Sequence, residues 1–387
     1  MPLGTHRAER YYLAAYIVIL IRLLCENSNL IVFGDTSKNI LTCVFALFML
    51  LAAMTEGLTR VQWITVSVLL LIFLYSYTRM GYFFLLVSLL CIVTIKKTNL
   101  KTILTWSCAI KASYLAIHVF CYIITYILKP DSIEYVYRDG TARHYFFVSH
   151  ANTFSMFLLW TIIEYIYIRH DKLKIPDYLI LLSIDLGIDF FSDSNSNRIA
   201  IVLLTVFLLI EKTCPCWKAN GLRWFVKYGY AILGLFFSII TIMYPYLNGG
   251  AKVAFDALDM FFTGRLKLGA YAYHIGGATL FGQRLPEYAL EFWKGIWFSK
   301  VTCENTYIWM LVSNGIIYII LFFLLFFFTA DYMSPFELSV CSIYILYSIM
   351  ENYVINVVLC FAPLIAAKYI LNMTTKKSDC DIKKRIE

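Results

Sequence analysis

Between residues 246 and 304, glycines, aromatics, carboxylates, His274 and six Lys/Arg occur together, with long apolar runs on both sides. Val253, Ala254, Ala257, Leu258 and Phe261 recur at three-to-four spacing, which predicts an amphipathic helix lying on a bilayer surface. Thr263 then reads as an N-cap, with Gly264 and Arg265 opening a second helix that runs to about Tyr273. A cation in the first turn opposes the helix dipole unless an anion binds there, so the chemistry expected at Arg265 is anion recognition. His274-Ile275-Gly276-Gly277 ends that helix, and Leu280-Phe281-Gly282-Gln283-Arg284 forms a turn. Glu304-Asn305-Thr306-Tyr307 leads into the next apolar run.

Other ionisable residues lie inside apolar runs, where they are costly and mark either function or a buried partner. Asp185, Asp189 and Asp193 recur at intervals of four and form one stripe on a helix. Such a stripe either orders the nearby Arg198 or builds an ion-pair ladder with Lys111 or Arg22. His150 and Asn152 open an apolar run just after Arg143 and His144. They are interfacial residues or part of a site. Glu164, about four turns further along the same face, reads as a packing partner. His118, alone on an apolar helix, reads as a hydrogen-bonded core residue.

The elements that must position these residues are membrane helices. The chain of 387 residues is 60% hydrophobic and only 15% charged, with a mean hydropathy of +0.71. A soluble domain would carry about 25% charged residues, so the composition describes an all-α, polytopic membrane protein. About twelve spans are expected, at 11–31, 39–55, 61–78, 80–95, 103–128, 146–168, 177–192, 198–211, 225–245, 305–329, 336–350 and 353–371. The pair 61–95 is interrupted only by Thr78-Arg79-Met80-Gly81, and the first run lacks a cleavage site and reads as a retained span. No internal repeat is visible. The chain thus reads as one transmembrane domain, 1–387, with 246–304 as a long, partly helical loop.

Orientation follows from Lys and Arg. With the N-terminus inside, the inner segments hold 19 of them and the short outer loops six, which places both termini in the cytoplasm and 246–304 outside. The net charge of +8 is explained by that bias and needs no nucleic-acid partner. The eleven cysteines are scattered, mostly within spans, and do not form a disulfide framework. Cys214-Pro215-Cys216 is too short for a zinc site.

Thr263-Gly264-Arg265 in a long outer loop, then Leu280-Phe281-Gly282, then Asn305-Thr306-Tyr307 with Leu311 and Gly315, follow one another in order. His150-Ala151-Asn152 enters an earlier span, and Ser194-Asn195-Ser196-Asn197-Arg198 precedes another. This series, over roughly 145–315, resembles the O-antigen polymerase and O-antigen ligase family. The resemblance implies a GT-C-like membrane fold in the bacterial cytoplasmic membrane. It also implies transfer of a glycan from an undecaprenyl-diphosphate carrier to an acceptor sugar hydroxyl on the outer face. Where the ligases place a catalytic histidine before Asn-x-Tyr, this chain has Glu304, which favours a repeat-unit polymerase over a ligase and leaves the base open.

That reaction needs charge on a leaving diphosphate to be stabilised. No metal-ligand cluster is visible and no cofactor is implied, so arginines must supply the positive charge, their planar fork suiting phosphate oxygens. Arg265 and Arg198 are the first candidates, with Arg143 and Arg284 behind them. The proton acceptor is Glu304, His274 or His150. Asn305, Tyr307, Asn152 and Tyr273 are candidate substrate contacts. Tyr271, Tyr273, Trp293 and Trp297 suit sugar stacking or interface anchoring. The implied partners are the lipid-linked oligosaccharide and membrane lipid, with flippase and chain-length regulator proteins as further candidates. Rival readings are a lipid-linked oligosaccharide flippase, an O-antigen-ligase-like transferase, and an acyltransferase. A flippase would more often show repeated halves and short loops. An acyltransferase would rest on His118, which has no acidic or Asn neighbour. The topology has a direct check. In a background purged of native thiols, a Lys267→Cys variant should react with an impermeant maleimide in intact cells; labelling only after lysis would reverse the loop's placement.

Overall fold

The computed structural model describes residues 3–56, 60–80, 83–95, 98–133, 135–138, 140–214 and 217–370. Gly81, Lys96, Lys97, Pro215, Cys216 and the basic tail from residue 371 lie outside the described residues, so the expectations placed on them do too. The protein is mostly helical. Its helices begin with α1 (Leu3–Glu26), α2 (Asp35–Glu56), α3 (Arg60–Met80), α4 (Phe83–Thr94) and α5 (Leu100–Leu128). They continue with α6 (Ala151–Arg169), α7 (Ile175–Ser192), α8 (Asn195–Thr213), α9 (Asn220–Met243) and α10 (Gly249–Phe261). The last are α11 (Arg265–Gly276), α12 (Thr306–Trp309), α13 (Ile316–Thr329) and α14 (Pro335–Tyr347). Among the described residues, four helices are long and apolar enough to cross a membrane: Asp35–Thr55, Leu100–Leu128, Ala151–Arg169 and Asn220–Tyr246.

Two small antiparallel hairpins, not expected from the sequence, interrupt the all-α pattern. They are β1 (Val136–Arg138) with β2 (Thr141–Arg143), and β3 (Glu291–Trp293) with β4 (Ile296–Phe298). Lys294 and Gly295 close the second, both at positive φ, as a tight turn between right-twisted strands requires.

The chain divides into two compact units. The first comprises Met1–Gly57 and Thr94–Trp217. Its centre is α6, apolar on every face and buried nearly throughout. Glu164 of α6 meets Lys111 of α5 at 2.7 Å with both side chains fully buried, and Ser107 Oγ donates to the same carboxylate oxygen. Glu164 is therefore the expected packing partner. His118 is likewise a bonded core histidine, between Ser28 Oγ at 2.9 Å and the Tyr114 carbonyl at 2.8 Å. Of the two partners considered for the aspartate stripe, Lys111 meets Glu164, and Arg22 meets Glu26 and Thr42.

The second unit comprises Leu58–Val93 and Lys218–Glu387. Here α9 packs against α11, α12, α13 and α14, with Tyr230, Tyr307, Phe322 and Phe326 forming a ring cluster at its centre. α14 starts at a capping box made by Ser334 and Glu337, with Pro335 in the first turn. Two expected spans are broken. The segment 353–371 opens with a single 3-10 turn, Tyr353–Ile355, is irregular and buried over 356–361, and is α-helical only over 362–370 within the described range. Ser88 of α4 satisfies part of that backbone, donating to the Ile355 carbonyl and accepting from Val357 N–H.

The run 305–329 is also discontinuous. After α12 the backbone widens into a π-turn over Met310–Asn314, stops at Gly315 with φ 106°, and restarts as α13. A break in a buried apolar run strands backbone groups, and each must find a partner inside the protein. The turn 279–283 provides them. Thr279 N–H and Gln283 N–H donate to the carbonyls of Leu311 and Ser313, and Gln283 Nε2 donates to Val312 O. In return the Ile316 and Ile317 N–H groups donate to the carbonyls of Thr279 and Leu280. The close approach is possible because Gly282 and Gly315 lack side chains: a Cβ on Gly315 would sit 2.4 Å from Leu280 O, and one on Gly282 2.5 Å from Ser313 O. Two glycines far apart in sequence are thus one backbone-to-backbone joint. Gly315→Ala combines a positive φ with that clash and should destabilise the protein by roughly 2–4 kcal/mol. Thermal unfolding in detergent should show a lowered midpoint, whereas Gly250→Ala, in open space on α10, should hold or raise it.

Candidate functional site

The loop between α9 and α12 is ordered by one charge and one small core. Tyr271 stacks on Phe298 with centroids 4.0 Å apart and, with Val301, Cys303, Ile308 and Val312, forms a buried cluster that ties α11 to β4 and α12. Gly269 brings α11 close to Thr241, whose methyl would lie 3.0 Å from an added Cβ. Burial pushes the Cys303 thiol up to about 12.

The start of α11 is built differently from the sequence expectation. Thr263 and Gly264 both take positive φ, and Gly264, not Thr263, is the N-cap. The buried carboxylate of Asp259, on α10, accepts from the N–H groups of Leu266 at 2.9 Å and Lys267 at 3.1 Å. The anion expected at this helix N-terminus is therefore supplied by the protein itself. Sequence reasoning missed Asp259 because a cap was sought immediately before the helix.

Arg265 is buried, 6% exposed, and its Nη2 lies 2.7 Å from Glu304 Oε2 and 3.0 Å from Glu351 Oε1. Its Nη1 donates to Thr263 Oγ1 at 3.1 Å. Glu351 is buried, whereas Glu304 is 40% exposed. Several bonds hold the two acidic segments together. Thr306 N–H donates to Ser348 O, Thr306 Oγ1 donates to Glu351 O at 2.5 Å, and Asn352 Nδ2 donates to Cys303 O at 2.7 Å. Asn305 Oδ1 caps α12 by accepting from Tyr307 and Ile308, and Tyr307 OH donates to Ile345 O. Asn305 and Tyr307 are thus buried positioning groups here. Glu351 was not singled out in the sequence; its position between two apolar runs was the available signal.

The other candidates separate. His274 is exposed, lies 3.3 Å from Glu291 and stacks on Trp293, and Tyr273 is partly buried against the Tyr271 cluster. Arg284 is exposed in the following loop. In the first unit, Arg143 is buried, donating from Nε to Ser192 O and from Nη2 to Asn152 Oδ1 at 2.5 Å. The His150 ring caps α6 by accepting from Asn152 N–H. Arg198 is half-exposed and is held by Asp189 at 3.0 Å and Asp193 at 3.5 Å, while Asp185 accepts from Asn197. The stripe therefore does order Arg198. Among the described residues, no group of three His, Cys, Asp or Glu side chains could hold a metal ion.

The first unit thus carries an aspartate-bound arginine, and the second an arginine bridging two glutamates with one glutamate open to solvent. Compared with protein-family models, curated proteins and solved structures, the chain matches none. The triad's two carboxylates should differ in kind. Removing the buried partner of a buried charge costs about 3–5 kcal/mol, whereas an exposed partner contributes at most about 1 kcal/mol. Glu351→Ala should therefore lower the thermal midpoint strongly and Glu304→Gln hardly at all; equal effects would mean that Glu304 is as structural as Glu351.

Proposed function

We propose that the chain is a glycosyltransferase of the bacterial cytoplasmic membrane. It acts as a polysaccharide polymerase, moving a growing glycan from undecaprenyl diphosphate to the acceptor sugar of a lipid-linked repeat unit on the outer face. In this reading about twelve spans carry the site, with both termini in the cytoplasm. The observation that carries the reading is the Arg265–Glu304 ion pair. It joins Thr263-Gly264-Arg265 to the residue preceding Asn305-Thr306-Tyr307, so two of the stretches that bear the resemblance meet in one place. The Gly282–Gly315 joint supports the same reading, since it links Leu280-Phe281-Gly282 to the Gly315 that closes the Asn305-Thr306-Tyr307 stretch.

The pair suggests how the residues divide the work. The donor's diphosphate takes Glu304's place on the guanidinium, while Glu351 and Thr263 keep the fork aimed. Displacement frees the Glu304 carboxylate beside the acceptor. The acceptor oxygen then bonds to the anomeric carbon as the bond from that carbon to the diphosphate oxygen breaks. The electron pair leaves with the diphosphate, and the hydroxyl proton passes to Glu304.

Deletion should leave single repeat units on the lipid carrier at the outer face and remove long chains; lipid-linked units accumulating on the cytoplasmic side would instead favour a flippase. With purified lipid-linked repeat units, Arg265→Lys should cost roughly 2–3 kcal/mol of transition-state stabilisation, about a hundredfold in rate, because an ammonium cannot reproduce the fork. Glu304→Gln should be similarly impaired. Wild-type chain lengths in Glu304→Gln would move the base to His274 or His150.

A further inference from the structure

Beside the Arg265 triad lie two cavities, of about 400 Å³ and about 260 Å³. They share Lys267, Ile296 and Phe298 as walls, so they are two lobes of one cleft between the first turn of α11 and the β3–β4 hairpin. Gly264, next to Arg265, and Thr302, two residues before Glu304, line the larger lobe. A ligand seated there is therefore a neighbour of the ion triad.

The charge in this cleft is one-sided. Lys267 and Lys300 line the larger lobe, Lys252, Lys267 and Lys294 the smaller, and no Asp or Glu lines either. Two of these ammonium groups have carboxylates behind them: Lys252 meets Asp256 at 2.9 Å, and Lys267 approaches Asp259 at 3.6 Å. Asp259, however, already accepts two backbone N–H bonds, so it is shared. Lys294 and Lys300 lie over the rings of Tyr246 and Tyr288, contacts that leave ammonium protons for another acceptor. Trp297, largely exposed, stands on the wall of the larger lobe.

Ammonium groups lining one cleft without a lining carboxylate favour an anion with several oxygens and more than one charge, and lysine is a common phosphate binder. An aromatic wall beside them suits the ring or hydrocarbon attached to that anion. We infer that this cleft is a phosphate-binding site, holding phosphate oxygens on Lys267 and Lys300, with Lys252 and Lys294 in its second lobe. Its ligand class is a phosphate-bearing lipid, either a prenyl diphosphate or a phospholipid headgroup. This deepens the transferase reading and rests on it for the prenyl source: the lysine cleft, not the carboxylate-bound Arg265, receives the phosphates first.

The test uses full-length protein in phosphatidylcholine nanodiscs, with sodium pyrophosphate as the probe and titration calorimetry as the readout. Saturable binding is expected for the wild type and for Lys218→Gln, a charge-loss control outside both lobes. Losing two exposed charge contacts should weaken Kd about tenfold in Lys267→Gln/Lys300→Gln, and Lys267→Arg/Lys300→Arg should recover it. Should the double variant fail to fold, Lys300→Gln alone should give a smaller weakening in the same direction. No saturable binding by the wild type, or unchanged affinity in the glutamine variants, would overturn the site. Repeating the titration in phosphatidylglycerol nanodiscs assigns the source. Undiminished pyrophosphate binding there supports a diphosphate ligand, and its loss supports phosphate recognition with bilayer headgroups as occupants. No transfer reaction is read, so a failed titration overturns the cleft and leaves polymerisation to the deletion phenotype.

Discussion

A guanidinium withdrawn from water is the constraint around which the second unit is arranged. Moving an ion out of water costs several kcal/mol even after relaxation, and only well-placed opposite charge and hydrogen bonds offset it. Arg265 receives Glu304, Glu351 and Thr263. For those groups to meet, three parts of the chain must converge: the start of α11, the stretch Cys303–Thr306 before α12, and the turn Ser348–Asn352 after α14. The bonds from Thr306 to Ser348 and Glu351, and from Asn352 to Cys303, are the backbone consequence of that convergence. A long connection between apolar helices would otherwise be the segment most free to wander.

Backbone hydrogen bonding is the second constraint, and it explains the least helix-like parts of the apolar runs. A helix can break at depth only where other protein groups take up the freed N–H and C=O groups. At Gly315 the 279–283 turn does so, and at 353–361 Ser88 takes part of the load. Broken helices of this sort place polar backbone where a ligand's polar groups can be met, which is why their recurrence beside binding sites has a physical basis. Here the break is locked from the loop between α9 and α12. The loop that carries the lysine cleft is thus mechanically continuous with the helix that carries Glu304's neighbours.

Much of this was legible in the chain. Apolar runs announced the long helices, and three-to-four spacing announced α10, because both signals come from periodic burial. The interval of four placed Asp189 and Asp193 on the face that meets Arg198. What the sequence hid depends on contacts between distant residues. Nothing local says that Asp259 caps the helix after its own, or that Glu351 reaches Arg265 across 86 positions. The β3–β4 hairpin was written in Lys294-Gly295 between aromatic residues, a signal weaker than Asn-Gly and masked by the surrounding apolar text. Asn305 and Tyr307, read from the sequence as candidate substrate contacts, are buried and bonded to backbone. A polar residue inside an apolar run marks a satisfied hydrogen bond as readily as a site.

The triad's own charge bears on how an anion could approach it. Counted by formal charge, the one guanidinium of Arg265 faces the two carboxylates of Glu304 and Glu351, so the triad is formally anionic. At about 8 Å and an effective dielectric of 20, each unit of that negative charge repels each unit on an incoming diphosphate by roughly 2 kcal/mol. Such a site cannot gather its own ligand. A cleft next door, lined by lysines and free of lining carboxylates, reverses the sign of the local field. Once a diphosphate is held there, exchange with the half-exposed Glu304 becomes a local event: withdrawal of Glu304 leaves Arg265 and Glu351 formally neutral, and the guanidinium keeps Glu351 as its buried partner throughout. The buried glutamate serves stability and the exposed one serves exchange, so the two glutamates have opposite jobs on the same nitrogen.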